Sequence, residues 1–346
     1  MPETPGTVLA RLLQERGVDC VVTWIPNNPA RIRELGLQEI AVEMLVYERD
    51  ICLLPRPRPM RVLSTSHGVV VGVPRREGPS CRYAVWSKRC YRRAVSWREL
   101  EALLPNPPLP LFIVDLGMLG GHSEEERGSL KVQLGVALSV IRRYLWDPHL
   151  ALTSAGDNVR EWLSDVIGRA KITVSQEKPG RVLWSMGADR VIILRPDAEE
   201  ALTEDDIRGA DAFVLGGVVD KIPRKGASRY LDASVPWGEP RRIELRGSII
   251  GVPDRINRVI EIILRVLFEG LSVEEAVIAS MTKRDLMRRL IIEIMRESRG
   301  GKRRLGRDHY EYLRAWLPVS CEDYVLAARK ARVQLGWNCE GADTSQ

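Results

Sequence analysis

The sequence predicts an α/β fold, a parallel sheet held between two basic segments, on three observations. From residue 111 onward, short apolar runs of strand type alternate with helix-period segments, and strands separated by helical crossovers pair in parallel. One of those runs, Phe213 to Leu215, meets a Gly216-Gly217 pair, resumes at Val218 and Val219, and delivers Asp220, Lys221, Arg224 and Lys225 into a loop. Paired glycines weaken a strand and let another backbone or a ligand come close. Charge is also partitioned: residues 1–100 hold 16 Lys and Arg against 10 Asp and Glu, residues 101–280 hold 22 against 27, and residues 281–346 hold 14 against 9. Basic flanks around an acidic centre suit a polyanion gripped by the flanks and worked on by the centre.

The 346 residues favour two or three domains. Composition is that of a globular protein, 45% hydrophobic and 28% charged, and no apolar run approaches the ~20 residues that cross a bilayer. The start, Met1-Pro2-Glu3-Thr4-Pro5-Gly6, lacks the basic and apolar regions of a signal peptide, so a cytoplasmic chain with no membrane role is expected. The six cysteines form no Cys-x-x-Cys pair and have no His at ligand spacing, which argues against zinc and predicts reduced thiols. Four His in total leave little for metal or triad chemistry.

In chain order, residues 6–17 have helical spacing closed by Gly17. A strand at 20–24, a mixed segment at 31–46 and a strand at 51–54 lead to Pro55-Arg56-Pro57-Arg58-Pro59, where alternate prolines enforce an extended backbone. Residues 62–73 read as strands around Gly68. Next, Tyr83, Trp86, Tyr91 and Trp97 interleave with Arg82, Lys88, Arg89, Arg92, Arg93 and Arg98. Cationic groups pair with phosphates while aromatic faces stack on bases, so this pattern suits RNA; it equally suits a small domain with core aromatics and solvated charges. The prolines at 105, 107, 108 and 110 mark a linker.

A buried-type strand at 111–115 then precedes a Gly-rich loop and a helix at 123–145, capped by Ser123 with Glu126 three positions on. Strands follow at 150–153, 172–175, 190–194, 213–215 and 242–245, with helices at 157–169, 181–186, 199–208 and 254–268. The last segment carries a helix at 283–297 with Arg284, Arg288 and Arg289, then Gly300-Gly301-Lys302-Arg303-Arg304, which is either a solvated end or a nucleic-acid contact. The expected division is 1–105, 106–280 and 281–346.

Ligands of an open parallel sheet bind outside the carboxyl ends of its strands, and Gly216-Gly217 is such an end. No G-x-G-x-x-G opens a helix after the first strand and no Walker A sequence is present, so a cofactor held by backbone and apolar loops is favoured. Alone, Asp220 reads as a loop aspartate capping a turn.

Residues 111–280 resemble the tRNA purine-9 N1-methyltransferases of the SPOUT superfamily. The resemblance rests on five landmarks in family order: Phe112-Ile113-Val114-Asp115; Ser129-Leu130-Lys131 with Gln133-Leu134 and then Arg142-Arg143-Tyr144; Pro196-Asp197-Ala198-Glu199-Glu200; Phe213-Val214-Leu215-Gly216-Gly217-Val218-Val219-Asp220-Lys221; and Arg242-Ile243-Glu244-Leu245 before Asn257-Arg258-Val259-Ile260-Glu261. Here Ile222-Pro223 stands where the family commonly shows Asn or Ser and a basic residue. The resemblance implies a SPOUT parallel sheet with a deep C-terminal trefoil knot, a small mixed α/β domain before it and a helical extension after it. It implies S-adenosylmethionine as donor, without metal. The donor would be held by residues 194–196 (Leu194, Arg195), 215–220 (Leu215, Gly216, Gly217, Asp220) and 245–252 (Leu245, Ile249, Ile250, Val252), with Asn257. It implies Asp220 as the carboxylate at the catalytic centre, Asp115 as a second acid, tRNA as the partner and a monomer with no protein partner. RNA contacts are expected from Arg82, Lys88, Arg89, Arg92, Arg93, Arg142, Arg143, Lys221, Arg224, Lys225 and Arg288. The alternatives are a SPOUT methyltransferase acting elsewhere on RNA and a non-catalytic RNA-binding protein.

Overall fold

The structure, a computed structural model, describes residues 3–24, 29–86, 90, 92–217, 227–299 and 304–338. It divides into two compact units, Met1–Ile193 with Gly209–Glu239, and Leu194–Arg208 with Pro240–Gln346.

In the first unit, α1 (Pro5–Glu15), β1 (Cys20–Val22), α2 (Pro29–Leu35), α3 (Leu37–Tyr47), β2 (Asp50–Ser66), β3 (Val69–Pro74), β4 (Ser80–Trp86), β5 (Arg92–Val95) and α4 (Trp97–Ala102) build a mixed layer. Its sheet runs β3-β1-β4-β2-β5, and β2 also pairs with β3. The prolines of residues 55–59 lie inside β2, where its register with β4 shifts between Leu53 and Arg58. A proline has no N–H to give a ladder, so such a shift is where a strand tolerates it. Apolar faces of α1, α3 and α4 bury Leu9, Leu13, Ile40, Leu45 and Leu100 against Val71, Val85 and Val95. Trp146 joins this core, and the Gln38 amide donates to the carbonyls of Arg142 (3.1 Å) and Leu145 (2.9 Å).

The cysteines correct the expectation of free thiols. Cys20–Cys81 and Cys52–Cys90 are disulfides with Cα atoms 5.8 and 5.6 Å apart, and Cys321 is also disulfide-bonded. Sequence spacings of 61 and 38 residues conceal partners that the sheet brings together. Closing loops of this length removes roughly 4 kcal/mol each of unfolded-state entropy. Reductant should therefore lower the melting temperature by roughly 10 °C in a calorimetric scan, and an unchanged melt would show that the bridges contribute nothing.

The rest of this unit comprises β6 (Leu111–Asp115), α5 (Glu124–Ile141), β7 (Leu150–Thr153), α6 (Val159–Trp162), α7 (Ser164–Ile167), β8 (Thr173–Val174), α8 (Pro179–Ser185) and β9 (Val191–Leu194). After α9 (Glu204–Gly209) come β10 (Ala212–Gly216), α10 (Ala227–Ser234) and β11 (Glu239–Arg241). The sheet order is β11-β9-β10-β6-β7-β8, with β10, β6, β7 and β8 pairing in parallel. This is the mixed α/β fold with a parallel sheet that the alternation predicts. The Ser123 capping box is closed both ways, at 3.2 and 2.8 Å. The helix expected at 157–169 is two short helices, α6 and α7.

In the second unit, α11 (Ile256–Glu269), α12 (Val273–Ser280), α13 (Lys283–Arg299), α14 (Arg307–Arg314) and α15 (Cys321–Ala331) follow, with a short parallel pair β12 (Arg304–Leu305) and β13 (Gln334–Leu335). The strand expected at 242–245 is replaced by isolated bridges, Ala201 to Arg242 and Leu245 to Ser248. Arg246 and Gly247 take φ of 48° and 70°, and two successive left-handed residues turn the chain back on itself. Among the described residues no helix is long and apolar enough to cross a membrane.

Candidate active site

In the first unit, β6 and β10 run side by side with Gly216 opposite Asp115. The Gly217 N–H donates to the Asp115 carbonyl at 2.8 Å. A Cβ on Gly217 would stand 2.8 Å from that same oxygen and 2.8 Å from Leu116 Cδ2, so only glycine lets the strand end lie this close. Thr153, opposite Asp115 at the end of β7, donates its hydroxyl to Asp115 Oδ1 at 3.2 Å. Asp115 is 3% exposed. Burial pushes its carboxyl above the ordinary value, and the surrounding hydroxyl and N–H donors offset this only in part. A carboxylate kept basic at the carboxyl edge of a parallel sheet suits proton chemistry. Asp220, Lys221, Arg224 and Lys225 lie outside the described residues.

In the second unit, Leu194 is buried and Arg195 donates its N–H to the Arg241 carbonyl at 3.0 Å, with its guanidinium 3.4 Å from Asp197. Leu245 and Ser248 exchange backbone hydrogen bonds of 2.9 and 3.2 Å. This turn leaves Ile249 and Ile250 unusually open, at 45% and 44% exposure. Val252 closes the segment by donating to the Ile249 carbonyl at 3.3 Å. Asn257, buried in the first turn of α11, makes no side-chain hydrogen bond to another described residue. Two isoleucines left this bare fit the apolar face of a ligand.

That loop is braced by later helices. Arg289 of α13 is only 1% exposed, pairs with Glu293 at 2.7 Å, and donates Nη1–H to the Ile250 carbonyl at 3.2 Å. Burial holds its pKa below the usual arginine value. Gly251, at φ 80°, abuts it so closely that a Cβ would come within 2.7 Å of Arg289 Cβ. At the other end, the Arg246 guanidinium lies 4.2 Å over the Trp316 ring and donates to Tyr312 Oη at 3.2 Å.

The basic residues expected at RNA divide into two groups. Arg82 and Arg92 are exposed with no ion pair to another described residue. Arg93 pairs with Asp50 at 2.5 Å, Arg143 with Glu34 at 2.6 Å, and Arg288 lies 3.9 Å from Asp254. Arg142 clamps the wholly buried Asp147 through two bonds of 2.6 and 2.8 Å. Lys88 and Arg89 lie outside the described residues. Thr153 escaped sequence reasoning, and Arg289, read with Arg284 and Arg288 as a solvated end or a nucleic-acid contact, is instead buried against the Ile250 carbonyl. The first had a usable signal, being the first polar residue after an apolar strand, on the side where ligands bind. Among the described residues no cluster of His, Cys, Asp and Glu could hold a metal.

No protein-family model matches the chain. It is 32% identical over 278 residues to the tRNA (adenine(9)-N1)-methyltransferase of Sulfolobus acidocaldarius, covering 76% of this chain and 86% of that protein. It is 28% identical over 340 residues to the tRNA (guanine(9)-/adenine(9)-N1)-methyltransferase of Thermococcus kodakarensis, covering 95% and 88%. Among solved structures, Sulfolobus acidocaldarius Trm10 in complex with S-adenosylhomocysteine superposes with a TM-score of 0.66 at 25% identity, covering 95% of this chain and 99% of that one. A dual-specific Thermococcus kodakaraensis Trm10 gives 0.60 at 25% identity, covering 79% and 100%.

Proposed function

The chain belongs to the tRNA purine-9 N1-methyltransferase family, and from that premise we propose that it methylates N1 of adenosine or guanosine at position 9 of tRNA, using S-adenosylmethionine. The observation that carries this reading is the glycine strand end locked onto Asp115 at the carboxyl edge of the parallel sheet. S-adenosylmethionine, when bound, supplies an electrophilic methyl group on its sulfonium. Residues 194–196, 215–220 and 245–252, with Asn257, would hold the donor. The proposal includes a trefoil knot in the catalytic segment, the three-part division at 105 and 280, and a cytoplasmic monomer without a protein partner.

Asp220 is the reacting carboxylate in this reading. Guanine N1 carries a proton that must leave, so Asp220 takes it as general base. Adenine N1 already offers a lone pair; there Asp220 accepts a hydrogen bond from the exocyclic amine and stabilises the positive charge that develops. Asp115, through its backbone oxygen on Gly217 and its carboxyl on Thr153, holds the strand end from which that loop leaves.

The deciding experiment incubates tRNA transcripts bearing A9 or G9 with labelled donor and maps the modified nucleoside by mass spectrometry. A methyl group on N1 of purine 9 is expected, and label at any other nucleotide would replace this reading with another RNA position. Unpaired Arg82 and Arg92, with Lys88, Arg89, Lys221, Arg224 and Lys225, are proposed to meet phosphates. Release of counterions then makes affinity salt-dependent. The Kd for tRNA should weaken by roughly tenfold or more between about 50 and about 200 mM salt, and a flat profile would remove the basic flanks from binding.

A further inference from the structure

Two tryptophans in the first unit have no evident reason to face water. Trp184 on α8 is 76% exposed, and Trp237, after α10, is 45% exposed. Large aromatic rings left open on a soluble surface mark binding sites more often than chance would give. These two border one cavity of about 620 Å³, whose wall is completed by Lys178, Gly180, Arg181 and Ser234, with Gln176 and Glu177 at the rim. The Trp237 ring is seated against the backbone of α8: a Cβ on Gly180 would lie 2.4 Å from the Ser234 carbonyl and 3.2 Å from the ring.

Lys178 and Arg181 stand exposed on the same helix start; the charge of Lys178 reaches the Asp115 carboxyl, which it favours in the ionised form. Among the described residues Glu177 is the one carboxylate lining the cavity, and the two cations outnumber it. Its position follows from the sheet. The Ser154 N–H donates to the Glu177 carbonyl at 2.8 Å, and Ser154 follows Thr153, whose hydroxyl meets Asp115. The cavity therefore opens along the carboxyl edge of the sheet, a few residues from the buried acid.

We propose that this cavity receives an unstacked nucleotide of the RNA substrate, its base against Trp184 and Trp237 and its phosphate on Lys178 and Arg181. This rests on the RNA methyltransferase reading and extends it. Aromatic faces bind bases without regard to sequence, and the cations read the backbone. A volume of 620 Å³ accommodates one nucleotide. A purine within the tRNA core must leave its stack before N1 can be reached. A stacking site at the edge of the reaction centre offsets part of that cost, whether it holds the target base itself or a neighbour displaced with it.

The test measures tRNA affinity by fluorescence anisotropy and single-turnover methylation for Trp184→Ala, Trp184→Phe and Lys178→Ala/Arg181→Ala, with S-adenosylhomocysteine affinity as control. Trp184 is nearly free of packing, so its replacement leaves folding intact, and the control reports this directly. Trp184→Ala should weaken the tRNA Kd about tenfold, Trp184→Phe should recover most of the loss, and donor affinity should stay constant. An RNA lacking the base at position 9 separates the two sources of the nucleotide. The penalty disappears on that RNA if the target purine occupies the platform, and it persists if a neighbour does. Equal tRNA Kd and rate in wild type and all three variants would overturn the proposal while leaving a purine-9 activity of the wild type standing. If the wild type binds RNA through Trp184 yet leaves position 9 unmethylated, the reading of the activity falls and the platform remains. A wild type that binds no RNA would sink both.

Discussion

Asp220→Asn is expected to slow methylation of G9 by roughly 10²- to 10⁴-fold, the usual contribution of a positioned general base, while A9 loses on the order of tenfold. The difference follows from where the proton is. The N1 proton of guanine must be removed, and an amide cannot take it. Adenine N1 needs no deprotonation, and the asparagine carbonyl can still accept from the exocyclic amine, though without a full charge to oppose the one developing on the ring. Single-turnover rates on A9 and G9 transcripts measure the contrast, with donor and tRNA affinities expected within about twofold of wild type because the substitution is isosteric. Equal and negligible losses on both bases would remove Asp220 from the chemistry.

How much of this was legible in the chain depends on the range of the interaction. The parallel sheet was readable because β6, β7, β9 and β10 are continuous apolar runs bounded by turn signals, and the Ser123 capping box because its partners are three residues apart. The segment proposed to hold the donor was singled out by its motif. Its conformation was not, since the apolar run at 242–245 reads as a strand while left-handed Arg246 and Gly247 make a turn of it. Pairings at long range left no mark. Cys20 and Cys81 are 61 residues apart, and the two-bond clamp of Arg142 on Asp147 depends on Asp147 being wholly buried, which spacing alone does not reveal. The open faces of Trp184 and Trp237 are likewise products of packing, because a tryptophan near a helix end ordinarily reads as core.

The same limit hid Arg289, whose replacement carries the second large expected effect. A guanidinium at 1% exposure is costly unless every partner is well placed. Arg289 has Glu293 at 2.7 Å, the Ile250 carbonyl at 3.2 Å, and the Trp316 ring 5.4 Å below its guanidinium carbon, while its Nε–H meets no acceptor among the described residues. Ile250 belongs to the proposed donor loop, and Gly251 abuts the Arg289 Cβ, so the arginine sets where that backbone lies. Arg289→Met should leave the half-buried Glu293 with the longer Arg296 contact at 3.7 Å and destabilise the unit by about 1–3 kcal/mol, and it should also weaken S-adenosylhomocysteine binding by roughly tenfold or more through loss of the loop contact. Those two consequences separate in Arg289→Met/Glu293→Gln. Without the weakly paired carboxylate the melting temperature should return most of the way, yet the Ile250 carbonyl still lacks its donor and the ligand affinity should stay low. Lysine is no substitute, because one ammonium cannot span both acceptors with the geometry of a planar fork. Calorimetric titration with S-adenosylhomocysteine alongside a thermal melt of each variant decides the matter. Affinity that recovers in step with stability would make Arg289 part of the core only. Affinity that stays weak on a restored fold makes it the residue through which the C-terminal helices position the donor loop.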